Sequence, residues 1–361
     1  MYGRTEYLAW AYERFGTVKY NLAKGGMRSV PPERIGRPES LHDSRAWHRL
    51  REHVAHFNGV SEAQALPALG TTHALWLALA ALLEPGDEVV VEWPGYEPLW
   101  RIAQGLGARV VHFERRHDEG YRVSTERIAA RFSERTRAVV LTSPHNPSGV
   151  RSTDDELRAI AQVCAHASVT LVVDEVYAPH GARLASDGIW GQTARSLAPN
   201  VVATGGLSKA YGLGALRVGW LLGDEEIVRR AEDAIESTLG EPPLAQAGLA
   251  CHAFASLPEL SLEAERQGME HMCDAVARWV ESQPGLSWTV PERSPFGFVR
   301  VEGGDDLAAA IDLGAREFGV LVAPGVYFGR PDCFRLGWSV ARGELDDALS
   351  RLEQTLRLRH G

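Results

Sequence analysis

The chain has 361 residues, 45% of them hydrophobic and 24% charged, and a formal net charge of −9. An acidic globular chain without a basic stripe argues against nucleic acid as a partner, and the longest apolar run, Ala74–Leu83, falls far short of the roughly 20 residues of a membrane span. The leading residues Met1-Tyr2-Gly3-Arg4-Thr5-Glu6 hold no apolar signal core. Cys164, Cys251, Cys273 and Cys333 form no C-x-x-C pair, so a reducing cytoplasm is expected rather than a disulfide or metal framework.

Trp47, Leu50, Val54 and Phe57 recur at spacings of three and four and predict an amphipathic helix. Gly70-Thr71-Thr72-His73-Ala74-Leu75 opens an apolar helix. Three β-type runs follow: Glu88–Val91, Arg109–Phe113 and Arg137–Leu141. Helical stretches follow them from about Glu97, from about Thr125, and from Asp154 to about His166. A fourth run, Val169–Val173, leads into Asp174. Valine- and leucine-rich strands separated by helix-length segments predict an α/β fold, a mostly parallel sheet covered by helices on both faces. Beyond about residue 270, strands at Phe296–Val301, Val320–Val322 and Phe334–Trp338 alternate with helices near Asp305–Phe318 and Glu344–Leu358, a smaller α+β unit.

Lysine is scarce. Of 38 lysines and arginines only Lys19, Lys24 and Lys209 are lysine. Lys209 sits in Gly206-Leu207-Ser208-Lys209-Ala210-Tyr211-Gly212-Leu213-Gly214, with Arg217 further on. In a chain that charges its surface with arginine, a lysine in a glycine-rich, uncharged stretch reads as chemistry. An amine can lose its proton and attack a carbonyl carbon, which a guanidinium cannot. Lys209 is read as a Schiff-base lysine.

Thr142-Ser143-Pro144-His145-Asn146-Pro147-Ser148-Gly149 follows one predicted strand, and Asp174-Glu175-Val176-Tyr177 closes another. Ligands of a parallel sheet gather beyond the carboxyl ends of its strands. Each segment alone has an ordinary use: Asp174 as a helix N-cap, Asn146-Pro147 as a turn, Arg335 as a solvated strand arginine, Tyr96 as a core aromatic. Together, S-P-x-N-P-x-G, D-E-x-Y, S-K-x-x-G and F-R-L-G, in this order, resemble the class I/II aminotransferases. These are the aspartate-aminotransferase-like, fold type I enzymes that use pyridoxal phosphate. The resemblance runs from Tyr20-Asn21-Leu22 to Arg335.

The resemblance implies a large cofactor-binding domain over 41–270, a small C-terminal domain over 271–361, and an N-terminal arm within 1–40 that joins the small domain. It implies that Lys209 binds pyridoxal phosphate covalently and shuttles a proton, that Asp174 pairs with the pyridine nitrogen, and that Asn146 and Tyr177 hydrogen-bond the ring oxygen. Thr71 and Thr72 would offer helix N-terminal N–H groups to the phosphate, Arg217 a guanidinium fork, and Tyr96 a stacking face. Arg335 would clamp the substrate α-carboxylate, approached by the backbone of Gly25 or Gly26.

Two departures stand out. Gly206 occupies the place of a phosphate-binding serine, leaving Thr204 or Ser208 as substitutes. Leu41 and His42 stand where a tyrosine given to the neighbouring subunit is expected, and His42 is the candidate replacement.

The expected activity is transfer of an α-amino group from an L-amino acid to a 2-oxo acid, in a cytoplasmic homodimer gripped by Tyr7, Leu8, Trp10 and Tyr12, with no metal. The alternative keeps the cofactor and changes the outcome to oxidation or hydroxylation, cyclisation or elimination, with a basic amino acid in view. A ligand-sensing regulator is disfavoured, because such proteins carry a winged-helix domain where this sequence has forty residues. Ile235–Gly240 holds no arginine to meet an acidic side chain. Glu236 and Glu241 suit a basic one, whereas a lining of Tyr327 and Phe296 suits a neutral one.

Overall fold

A computed structural model describes residues 3–37, 40–179, 184, 188–266 and 269–358. The chain opens with α1 (Glu6–Arg14) and β1 (Tyr20–Asn21), followed by α2 (Ala46–Asn58), β2 (Ala65–Ala68) and α3 (Thr71–Leu82). Alternating elements follow: β3 (Glu88–Trp93), α4 (Pro98–Gly105), β4 (Arg109–Glu114), α5 (Thr125–Ala129), β5 (Thr136–Thr142), α6 (Asp154–His166) and β6 (Thr170–Asp174). Next come β7 (Val201–Gly206), β8 (Gly219–Leu222), α7 (Glu225–Leu239), α8 (Leu244–Arg266) and α9 (Met269–Ser282). The last part holds β9 (Leu286–Ser287), β10 (Phe296–Val301), α10 (Ala308–Phe318), β11 (Val320–Leu321), β12 (Ala323–Pro324), β13 (Cys333–Gly337) and α11 (Leu345–Arg357).

Seven strands form the main sheet in the order β2-β8-β7-β6-β5-β3-β4, and β8 alone among them runs against its neighbours. The two-residue period of the strands sorts their side chains between two cores. Val89, Val91, Val140, Val172 and Val202 pack with α3, α4 and α7 on one face. Val90, Val139, Leu141, Leu171 and Val173 pack with Leu157, Ile160 and Cys164 of α6 on the other. With no face left to water, the strands read as continuous valine and leucine runs. The sheet is therefore mostly parallel and covered on both faces, as expected.

The sequence reading missed β2, β7 and β8. Glycine and alanine make up half or more of β2 and β7, and β8 has only four residues with glycine first, so the β-branched signal is thin. These strands are set by pairing: Asp174 of β6 lies opposite Thr204 of β7, and Gly206 opposite Gly219.

A second, antiparallel sheet has the order β12-β13-β10-β9, with Phe298 opposite Arg335. The N-terminal segment joins this part, since β1 pairs in parallel with β11. Tyr7 and Trp10 of α1 are buried in the same core as Phe298, Phe328 and Phe334. This corrects the expectation that Tyr7 and Trp10 grip a partner, since they are spent inside their own chain; Leu8 is half-buried against the same core, and Tyr12 is 85% exposed.

One close approach fixes the start of α3 against the sheet. A Cβ on Gly219 would lie 2.6 Å from the Thr71 nitrogen and 2.8 Å from the Gly70 Cα. Gly219→Ala is expected to destabilise the chain by about 1–3 kcal/mol, the usual cost of overpacking, in urea unfolding.

Candidate active site

The carboxyl ends of β5, β6 and β7 lie side by side, and each runs into a segment singled out in the sequence. Lys209 follows β7, half-buried, its carbonyl accepting a hydrogen bond from the Met27 nitrogen at 2.7 Å. Burial first, then the positive charges of Arg335 and Arg217, push its amine down to about 8, against the pull of Asp174. Asp174 ends β6 and accepts from the Val176 nitrogen at 3.0 Å. Burial, with Glu92 adding, pushes its carboxyl up to about 7, while Lys209 pulls it down. A cation set against Asp174 would return it to the carboxylate.

Arg335 of β13 is 2% exposed, yet no carboxylate pairs with it among the described residues. Its Nη1 donates to Asn146 Oδ1 at 2.7 Å, and its Nη2 to the Ala23 carbonyl at 2.8 Å and the Tyr7 phenol oxygen at 2.6 Å. Its Nε is buried without a partner. Phe296 lies under the guanidinium, 5.0 Å from its carbon, and meets the Tyr177 ring edge to face at 4.8 Å. Gly25 completes this wall, because a Cβ there would lie 2.8 Å from Phe296 and 3.1 Å from the Tyr177 hydroxyl. Gly26, at φ +124°, would bring a Cβ within about 3 Å of the Lys209 backbone. Only glycine suits both the dihedral and the space.

The N-terminus of α3 forms the other wall. Arg217 reaches it so closely that a Cβ on Gly70 would lie 2.5 Å from the guanidinium. Arg217 has no acidic partner among the described residues. The Thr71 hydroxyl is buried without a partner, and a Cβ on Gly206 would lie 2.7 Å from it. The place where a side chain of residue 206 would begin is thus taken by Thr71. The Thr204 hydroxyl is also buried and unpartnered, whereas Ser208 is half-buried. Tyr96 hydrogen-bonds Thr72, and burial, with Tyr7, Tyr177 and Asp174 around it, raises its pKa and holds the phenol neutral.

Three other candidates do not join this cluster within the chain. His42 is exposed beside Leu41 on the turn before α2, and Glu236 and Glu241 are exposed at the end of α7. The one group with metal-ligand spacing among the described residues, His48, Glu52 and Glu62, is exposed as well.

The sequence reading also missed a buried support. Glu92 Oε1 accepts from the Thr142 nitrogen at 2.9 Å and its hydroxyl at 2.6 Å, while Oε2 takes Arg115 at 2.8 Å. The Thr142 oxygen then accepts from the Asn146 nitrogen at 2.8 Å. His145 bonds the Pro94 carbonyl at 2.8 Å and Ser148 at 2.7 Å. Burial, with Arg115 adding, drives its pKa well down, so it is neutral. The carbonyl can only accept, so Nε2 carries the hydrogen and Nδ1 accepts from Ser148. A glutamate within a valine strand was the available signal for this network. Tyr7 gave none, lying 328 residues from Arg335.

Residues 23–352 match the family description Aminotransferase class I and II. The chain belongs to the class I and II aminotransferases. It is similar to the arginine–pyruvate transaminase of Pseudomonas aeruginosa, 32% identical over 86% of this chain and 80% of the relative. It is also similar to the capreomycidine synthase of Streptomyces vinaceus, 30% identical over 96% and 92% of the two chains. A PLP-dependent aminotransferase from Streptococcus suis has the same fold, with a TM-score of 0.85 over 99% of this chain and 98% of that one, at 23% identity.

This aminotransferase has the fold type I architecture and uses pyridoxal phosphate to move an amino group between an amino acid and a 2-oxo acid. The donor set of the cavity fits that cofactor. A helix N-terminus with an orphaned hydroxyl and an arginine that has no acidic partner among the described residues suits a phosphate, a buried carboxyl suits a ring cation, and a depressed lysine amine suits a carbonyl carbon.

In the cofactor-free aminotransferase, the neutral fraction of Lys209 grows as pH rises through about 8. Amine-specific labelling followed by peptide mapping is expected to show its half-maximal rate there. Lys19, raised by its bonds to Tyr20 and Asp347, should label only at higher pH. Asp174→Asn removes the charge that favours the ammonium form and should move the Lys209 midpoint downward.

Proposed function

We propose that Lys209 is the cofactor-bearing lysine and that the cavity around it takes a non-acidic L-amino acid and a 2-oxo acid. The observation that carries this reading is the convergence of a depressed lysine amine, a buried carboxyl and a buried, carboxylate-free arginine on one cavity. The bound cofactor supplies an aldehyde carbon for the amino group and a ring that withdraws electrons from the amino acid's Cα.

The chain's residues do the rest. Lys209 would hold the cofactor, and its neutral amine would take and return the α-proton. Asp174 keeps the ring nitrogen protonated. Asn146 and Tyr177 would hydrogen-bond the ring oxygen, and Tyr96 would stack on the ring. Thr71, Thr72 and Arg217 hold the phosphate, with the Thr71 hydroxyl supported as the stand-in at Gly206 by its position, and Thr204 and Ser208 as neighbours. Arg335 and the Gly25 backbone hold the α-carboxylate, which the unpartnered Nε favours.

A basic amino acid is the second reading. It is favoured by the absence of arginine in Ile235–Gly240 and by the relative named as an arginine–pyruvate transaminase; Glu236 and Glu241, exposed at the end of α7, would bear on it only from a neighbouring subunit. Homodimeric assembly, biosynthetic use and cytoplasmic residence belong to the same proposal. Exposed Tyr12 supports the first, and the lack of a C-x-x-C pair in the sequence the last.

The test is an absorbance titration of the holoenzyme against arginine, ornithine, leucine, phenylalanine and aspartate, with product analysis. A 2-oxo acid and an aminated cofactor are expected, and peroxide, ammonia or a cyclic product would replace transamination by the alternative chemistry. Lys209→Ala should lose turnover by several orders of magnitude, because nucleophile and base go together.

Arg335→Lys keeps the charge and loses the fork. Apparent affinity for the amino acid should fall by about 1.5–3 kcal/mol, as for a charged hydrogen bond, while cofactor affinity measured by dialysis holds.

A further inference from the structure

α1 is moored beside Tyr96 and Arg335. The Tyr7 backbone nitrogen donates to Glu97 Oε2 at 2.8 Å, in a buried contact one residue past Tyr96. The other Glu97 oxygen accepts from Arg101 Nε at 2.9 Å, so the carboxylate is held from both sides. The Tyr7 ring stands edge to face on Tyr96 at 5.9 Å and leans on Phe328 at 5.3 Å. Tyr7 is 6% exposed, and its phenol has one partner among the described residues, the Arg335 Nη2 that donates to it at 2.6 Å.

The donor count at this contact matters. Arg335 carries no acceptor, so in the bond to Tyr7 the phenol oxygen accepts and its hydrogen remains free to donate. Arg335 Nη2 is saturated by Tyr7 and the Ala23 carbonyl, and Nη1 has one bond to Asn146. Nε, on the edge shared with Nη2, has no acceptor. A carboxylate that docks on Arg335 therefore finds guanidinium hydrogens still free at Nε and, beside Nη2, the Tyr7 O–H as a second kind of donor.

We propose that Tyr7 is a substrate-positioning residue: its phenol steadies Arg335 and donates its hydrogen to the α-carboxylate of the amino acid or 2-oxo acid that Arg335 binds. The proposal rests on the carboxylate-binding role of Arg335. Tyr7, 6% exposed and packed on Tyr96 and Phe328, adds to the burial of Arg335, and low exposure strengthens each charged hydrogen bond made there.

Tyr7→Phe removes the hydroxyl and keeps the ring. The holoenzyme is titrated spectroscopically with leucine and 3-methylbutylamine, and with arginine and agmatine; each pair shares a side chain, and the second member lacks the carboxylate. Tyr7→Phe should weaken the amino acids about tenfold and leave the amines unchanged, with KM for the 2-oxo acid raised and kcat nearly constant. In an Arg335→Lys background the Tyr7→Phe effect should shrink, because the shared ligand is already loosened.

Equal losses for amino acids and amines, or an unchanged amino-acid affinity, would overturn the proposal. A lowered melting temperature with no amino-acid-specific loss would leave Tyr7 a packing residue, again overturning it. If Arg335→Lys itself left amino-acid affinity intact, the Arg335 reading would fail first, an outcome distinct from a silent Tyr7→Phe.

Discussion

A guanidinium buried without a carboxylate partner among the described residues organises this molecule. An unpaired buried charge is costly, so every dipole that compensates it is under constraint. Arg335 collects its compensation from far-separated places: Asn146 after β5, the Ala23 carbonyl after β1, and Tyr7 of α1. The rings of Tyr7, Phe296 and Phe328 lie 5.0 to 5.4 Å from its guanidinium carbon, within cation–π range. The main sheet, the small sheet and the N-terminal helix must meet at this point for the charge to be tolerated. The segment after β1 is gripped twice more on the way, by the Gly337 nitrogen on the Leu22 carbonyl and by Met27 on the Lys209 carbonyl, both at 2.7 Å.

The same desolvation sets the chemistry of Lys209 and Asp174. For both groups burial is the largest cause of the shift; the charges of Arg335 and Arg217 come second for Lys209, and the hydrogen bond from the Val176 nitrogen comes second for Asp174, ahead of the charges of Glu92 and Lys209. One cause has opposite consequences, because burial disfavours whichever form is charged: it lowers the amine to about 8 and raises the carboxyl to about 7. Groups that titrate near neutrality exchange protons at little cost, which suits an enzyme that moves the α-proton off and back. The positive charges of Lys209, Arg335 and Arg217 outnumber Asp174, so the cavity is disposed toward the two anions of the reaction, a phosphate and a carboxylate.

Below this charged layer lies a buried polar network that holds geometry. Glu92 fixes the Thr142 hydroxyl hydrogen toward itself, which leaves the Thr142 oxygen to accept from Asn146. Asn146, with its carbonyl oxygen committed to Arg335, has its backbone and side chain both determined. The ion pair of Glu92 with Arg115 is weak support for stability, since desolvation offsets much of its attraction. Its orienting effect on Asn146 follows directly from the bonds.

The sequence alone determined the α/β alternation, the family and the chemistry-bearing segments. Apolar strand runs, a rare lysine and short polar motifs are local, and each carries its meaning within a few residues. The α6 boundaries, Asp154 to His166, were legible because Thr153 and Glu156 cap the helix locally. Strands β2, β7 and β8 were not legible, since short or small-residue strands exist only through their neighbours. The position of the Thr71 hydroxyl beside Gly206 and the burial of Tyr7 and Trp10 were beyond reach as well. So was the meeting of Tyr7 with Arg335, because these depend on which surfaces touch after the chain has crossed between the two sheets. Local sequence supplied the reactive groups. Tertiary burial supplied their pKa values, their partners and their orientation, because desolvation and long-range hydrogen bonds come into being only when distant segments close around them.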